Sequence, residues 1–206
     1  MNQFAAVIFD LDGVLIDSEP LHAQAWEKLF TELGLVDAHG MDFRSYIGVS
    51  DQVFLRDFLD KHPQPATPTA LNARKRHHLL NLVREKRPIF PELHELIPAL
   101  AQRYRLAVAS SSNQSVIDVV LTVAGFRQHF SVTVGGDAVH DHKPDPAVYN
   151  LAVQKLGVSA AQCCAIEDST AGITAAQAAG ITVIGYQQTG ADHFVHNFTE
   201  VRQLLL

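Results

Sequence analysis

The sequence predicts an α/β protein, a Rossmann-like doubly wound parallel sheet core with an inserted α-helical bundle cap. Three observations carry this. The chain opens with a short, unbroken apolar run, Phe4 to Phe9, which reads as a strand buried on both faces. After Pro88 strand and helix patterns alternate, the signature of parallel strands with helical crossovers. Between about Ser18 and Arg87 no convincing strand occurs. The first strand is too apolar to stand alone and is expected to join the later sheet. The core is therefore expected to be discontinuous, 1–15 plus 91–206, with the cap at 16–90.

The opening strand ends at Asp10, and Leu11-Asp12-Gly13-Val14 reads as a turn leaving its carboxyl end. Leu21, Ala25, Leu29 and Leu33 recur every four residues and predict a helix over 20–34, with Pro20 in a first turn that tolerates proline. Further cap helices are expected over 50–61 and 69–86, separated by the Pro-rich break 63–68. In the core, helices near 91–103, 114–124, 145–156 and 169–179 alternate with strands over 106–109, 132–134, 163–166 and 181–185. The crossings between core and cap, Leu15 to Ser18 and Arg87 to Pro91, are the expected hinges.

Composition narrows the function. The 206 residues are 47% hydrophobic and 18% charged, a globular balance. A net charge of −6 argues against binding the nucleic-acid backbone, and no apolar stretch is long enough to span a bilayer. Met1-Asn2-Gln3-Phe4 has no basic region before its apolar run, so no signal peptide is expected and a soluble cytoplasmic enzyme fits best; a monomer is expected, with an oligomer left open. Adjacent Cys163 and Cys164 point to opposite faces of a strand and suit reduced packing residues. His140-x-His142 and His193-x-x-His196 lack a familiar zinc frame. Arg74-Lys75-Arg76 reads as a solvated helix face.

Chemistry-bearing residues fall at the carboxyl ends of predicted strands: Asp10 and Asp12 after the first, Ser110 after 106–109, Lys143 in the loop beyond 132–134, and Glu167 with Asp168 after 163–166. Open parallel sheets bind ligands along this rim. Alone, Asp12-Gly13 is a turn and Ser110 a helix cap; together they are a site. Four crowded carboxylates repel one another and call for a hard divalent cation, for which Mg2+ with carboxylate and phosphate oxygens is apt. Lys143 and Ser110 would neutralise and hydrogen-bond phosphoryl oxygens.

Asp10-Leu11-Asp12-Gly13-Val14, Ser110, Lys143-Pro144 and Glu167-Asp168 resemble, in order and separation, the four motifs of haloacid dehalogenase superfamily hydrolases. The resemblance covers essentially the whole chain, and it is similar to the β-phosphoglucomutase-like branch with a helical cap. It implies Asp10 as the nucleophile that forms an aspartyl-phosphate, and Asp12 as acid then base. It implies Mg2+ held by Asp10, the Asp12 carbonyl and Asp168, with Glu167 assisting directly or through water. Ser110 and Lys143 would hold the phosphoryl group.

The resemblance also implies substrate contacts at His22, Gly48, Asp51, Ser111, Ser112 and Asn113. It breaks where the mutase binds a second phosphate: Asp51 and Asn113 stand where the mutase carries an arginine and a lysine. Losing two cations, and placing Asp51 to repel a bisphosphate, implies a phosphatase of small phosphorylated metabolites, with sugar phosphates the class expected, and makes a phosphosugar mutase the alternative. A phosphoacceptor signalling domain shares Asp, Lys and Mg2+ but lacks the helical insertion, and a non-catalytic binding protein would not need every catalytic position filled. Lys75 and Trp26 are read as surface or packing residues of the cap.

Overall fold

The computed structural model describes residues 4–35, 39–46 and 51–206. The chain divides into two compact units, Met1–Asp17 with Pro88–Leu206, and Ser18–Arg87. These boundaries fall two or three residues inside the cap limits read from sequence. The reason is local pairing: Ile16 bridges Ile89 antiparallel, and the Asp17 amide donates to the Pro88 carbonyl at 2.9 Å. Leu15 to Asp17 and Pro88 to Pro91 are thus built into the first unit.

In that unit the strands are β1 (Ala6–Phe9), β2 (Arg105–Ala109), β3 (Phe130–Val134), β4 (Cys163–Glu167), β5 (Thr182–Tyr186) and β6 (His193–Val195). They form a six-stranded sheet in the order β3-β2-β1-β4-β5-β6, parallel throughout. The wholly apolar β1 is buried along its length, as a strand with neighbours on both sides must be. Register decides the rim: Phe9 lies opposite Val108 on one side and Ile166 on the other. The residues just beyond, Asp10, Ala109-Ser110 and Glu167-Asp168, therefore emerge together.

The helices of this unit are α4 (Leu93–Ala101), α5 (Gln114–Ala124), α6 (Ala147–Leu156), α7 (Thr170–Ala178) and α8 (Phe198–Leu205), preceded in the chain by α1 (Glu19–Glu32), α2 (Asp51–Lys61) and α3 (Pro68–Lys86) of the second unit. Val148, Tyr149, Ala152, Ile173 and Ala176 of α6 and α7 pack on Ala6, Ile8, Ala107 and Ala165, one alternating face of the sheet. Cys163 and Cys164 are buried free thiols, and burial pushes the Cys163 thiol up to about 11. Two elements lie beyond the sequence reading. The edge strand β6 is too short and too polar to stand out. α8 is capped by Asn197, whose Oδ1 accepts from the Glu200 amide at 3.0 Å while Glu200 accepts from the His196 amide at 2.8 Å.

The second unit is helical. Trp26, Phe30, Phe54 and Phe58 form its core with Met41, Leu55 and Leu71; Phe30 stacks on Phe58 at 4.6 Å between ring centres. Arg87 closes α3 in the left-handed region, φ 47°. No helix among the described residues is long and apolar enough to cross a membrane.

Candidate active site

Lys143 is the hinge pin of the rim. Its ammonium donates to Asp10 Oδ1 at 2.7 Å, Glu167 Oε1 at 2.6 Å and the Ala109 carbonyl at 3.0 Å, using all three of its protons. The acceptors come from β2, from β4 and from the residue that follows β1, so the carboxyl ends of three parallel strands converge on a single buried cation. Burial disfavours that charge, but Asp10 and Glu167 outweigh the penalty and hold the ammonium well above its ordinary value.

The carboxylates remain in excess. Burial pushes the Asp10 carboxyl far up; Lys143 pulls it back, while Glu167, Asp168 and Asp12 push it further. Burial, then Glu167 and Asp12, raise Asp168 to about 7. Carboxyl oxygens of Asp10, Glu167 and Asp168 lie within 4.8 Å of one another, a hard-oxygen donor set short of positive charge that fits a divalent cation. Asp12 stands outside this side-chain triad; its Oδ2 accepts from Ser112 Oγ at 2.8 Å.

Backbone geometry makes the crowding possible. Gly13 adopts φ +75°, and a Cβ there would strike the Asp168 carboxylate. At Gly172, in the first turn of α7, a Cβ would strike Glu167. Ser169 caps α7, its Oγ accepting from the Gly172 amide at 3.0 Å and donating to Glu167 Oε2 at 3.0 Å.

Ser110 is fully buried; its Oγ accepts from the Ser112 amide at 3.0 Å, and its own amide extends the sheet to the Val134 carbonyl. The Gly136 amide donates to the Ser112 carbonyl at 2.9 Å, and a Cβ on Gly136 would strike the Ser111 carbonyl, so this loop is held closely. Ser111 is exposed, whereas Ser112 and Asn113 are half-buried, and Asn113 occupies the N-cap of α5 without a side-chain capping bond. The structure thus brings Asp10, Asp12, Ser110, Ser112, Lys143, Glu167 and Asp168 together at one rim. Tyr149 was missed by sequence reading; its hydroxyl donates to Glu167 Oε1 at 2.8 Å. A tyrosine on an apolar helix reads as core, and its closeness in sequence to Lys143-Pro144 was the one available signal.

Within the helical unit, His22 and Asp51 meet at Lys75. The Lys75 ammonium donates to Asp51 Oδ1 at 2.7 Å, Asp51 Oδ2 at 2.6 Å and His22 Nδ1 at 2.8 Å, and Trp26 Nε1 donates to Asp51 at 3.3 Å. Burial disfavours the Asp51 carboxylate, yet Lys75 and His22 outweigh it and hold the carboxyl well below the usual range. This corrects the reading of Lys75 as part of a solvated face: it is 1% exposed. It also corrects Asp51 as a bare repulsive charge, since the carboxylate is paired. Gly48 lies outside the described residues.

Comparison with known proteins agrees with this geometry. Residues 7–186 match the family described as Haloacid dehalogenase-like hydrolase. The chain is 29% identical over 186 residues to Fructose-1-phosphate phosphatase YqaB of Escherichia coli (strain K12), covering 89% of this chain and 96% of that protein. It is 32% identical over 182 residues to Hexitol phosphatase B of the same strain, covering 86% and 81%. The crystal structure of CbbY from Rhodobacter sphaeroides in complex with phosphate superposes with a TM-score of 0.84 at 28% identity over 96% of both chains. A parallel sheet whose rim gathers the motif carboxylates and lysine, in a chain matched over residues 7–186, leads to one assignment: this protein belongs to the haloacid dehalogenase-like hydrolases.

Proposed function

We propose that the protein is a Mg2+-dependent phosphatase of small phosphorylated metabolites, sugar phosphates in particular, working through an aspartyl-phosphate. The observation that carries this is the Lys143 ammonium shared between Asp10 and Glu167 beside Asp168. It leaves a nucleophilic carboxylate next to a fixed positive charge and an uncompensated acidic set. Asp10, Asp168 and the Asp12 carbonyl would hold Mg2+, which supplies positive charge to offset the incoming phosphate ester.

In this reading an Asp10 oxygen bonds to phosphorus as the ester P–O bond breaks, and Asp12 gives its proton to the departing alkoxide. Asp12, again a carboxylate, then takes a proton from water as the water oxygen attacks phosphorus, which frees Asp10 and inorganic phosphate. Ser112 holds Asp12 for this exchange. Lys143 and Ser110 steady the phosphoryl oxygens. Ser111, Asn113, His22 and Asp51 are proposed to contribute to substrate selection.

With Lys75 committed to Asp51, the pair offers a second phosphate no spare positive charge, and repulsion is not needed against a mutase. The relatives named for fructose 1-phosphate and hexitol phosphates support the same class. Phosphate release across a panel of sugar and polyol phosphates, with and without Mg2+, tests the proposal. Mg2+-dependent release from one class is expected; no release from any, with metal present, would overturn it, as would net conversion of β-glucose 1-phosphate to glucose 6-phosphate.

A further inference from the structure

Glu167 is fully buried, and its carboxylate is saturated. Oε1 accepts from Lys143 Nζ at 2.6 Å and Tyr149 OH at 2.8 Å; Oε2 accepts from the Ser169 amide at 3.2 Å and Ser169 Oγ at 3.0 Å. A carboxylate offers about four acceptor sites. Although a Glu167 oxygen lies close enough to Asp10 and Asp168 to share a cation with them, a bond from that cation to Glu167 would have to displace a donor. The two Ser169 donors are fixed by the capped start of α7, and Lys143 is bound into three strands. Tyr149 is the remaining donor. It is fully buried on α6, and its ring lies 4.9 Å from the Lys143 ammonium.

We propose that Tyr149 is a positioning residue that holds the Glu167 carboxylate on Lys143 and out of direct contact with the bound cation, leaving Asp10 and Asp168 as its side-chain ligands. The inference rests on the metal-dependent phosphatase reading for its kinetic arm only. Filling Glu167 Oε1 keeps Lys143 from being drawn wholly toward one carboxylate. The ammonium can then serve Asp10 and the phosphoryl group.

Tyr149→Phe removes the donor and keeps the ring. Glu167 Oε1 then keeps Lys143 but has one acceptor position vacated beside Asp10 and Asp168, where a cation can bind. Mg2+ titrated calorimetrically into the full-length variant, without substrate, is expected to bind more tightly, by about tenfold. At saturating Mg2+, kcat should fall about tenfold or more with KM little changed. A merely structural tyrosine would lower the melting temperature and leave the Mg2+ Kd alone. Unchanged or weaker Mg2+ binding in a folded Y149F protein overturns the proposal.

Should that variant not fold, Glu167→Gln against Asp168→Asn decides. Mg2+ binding should weaken by about tenfold in E167Q and be lost in D168N; equal loss in both overturns it. The calorimetric arms do not depend on turnover. A wild-type protein inactive on every phosphate ester would sink the phosphatase reading while the Mg2+ measurements still judged Tyr149.

Discussion

Among the described residues, Lys75 and Lys143 have buried side chains, and their surroundings differ in how charge is balanced. Lys75 is paired with the Asp51 carboxylate, beside the His22 nitrogen and the Trp26 indole. Charge there is balanced. Lys143 faces Asp10 and Glu167, with Asp168 and Asp12 close enough to raise the Asp10 carboxyl further. Charge there is unbalanced toward negative, and the excess is what a cation and a phosphoryl group could use. A balanced pair spends its electrostatic energy on itself; a surplus leaves some for a ligand.

The largest break in the comparison is Asp10→Asn. Turnover should fall by at least about a thousandfold, since the oxygen proposed to attack phosphorus is gone. Because Asp10 sits under repulsion, its neutral replacement should melt no lower than wild type, as differential scanning calorimetry would show; full activity would end the nucleophile assignment. Next in size is Lys143→Met. It leaves Asp10 and Glu167 without their shared cation, and both stability and activity should suffer, by about 3 to 5 kcal/mol and at least about a hundredfold. Retention of wild-type kcat in K143M would break the contrast between the two lysines.

Lys75→Met should cost less. Asp51 has a side chain 40% exposed, so water can replace part of what Lys75 supplied, and about 1 to 2 kcal/mol by urea unfolding is expected. A loss as large as that of K143M would show that the cap pair is no less critical than the core one. The pH dependence separates the two regions by sign. Asp168 is raised from 3.8 to about 7, so across that window the folded metal-free protein binds more protons than the unfolded chain, and stability falls as pH rises. Asp51 is lowered, so its contribution is present above the ordinary carboxylate value and is lost only as pH falls below it. Melting curves in chelator should therefore decline toward neutral pH, and Mg2+ should remove that decline. A flat profile in chelator would argue against the crowded carboxylates.

Much of the site was legible because strand ends are legible. Asp10 follows an apolar run, and Glu167-Asp168 follows another, so the rim rule alone gathered them with Ser110 and Lys143. Lys75 was misread because Arg74 and Arg76 flank it and a basic triplet looks solvated. Yet Leu71, Lys75 and Leu79 recur every four residues, and all three are buried on one stripe of α3. Tyr149 was missed for the opposite reason, being an aromatic where a core residue belongs.

By itself the sequence determined the parallel sheet, the helical insertion and which residues end the strands, because periodicity and apolar runs act over a few neighbouring residues. Only the tertiary structure decided how charge is shared among them. That Lys143 is divided between two carboxylates, that Glu167 Oε1 is shared by Lys143 and Tyr149, and that Asp51 is paired with Lys75 all depend on partners well separated in the chain. Coulombic and hydrogen-bond energies are set by distances of a few ångströms, and those distances exist only once strand register and helix packing are fixed.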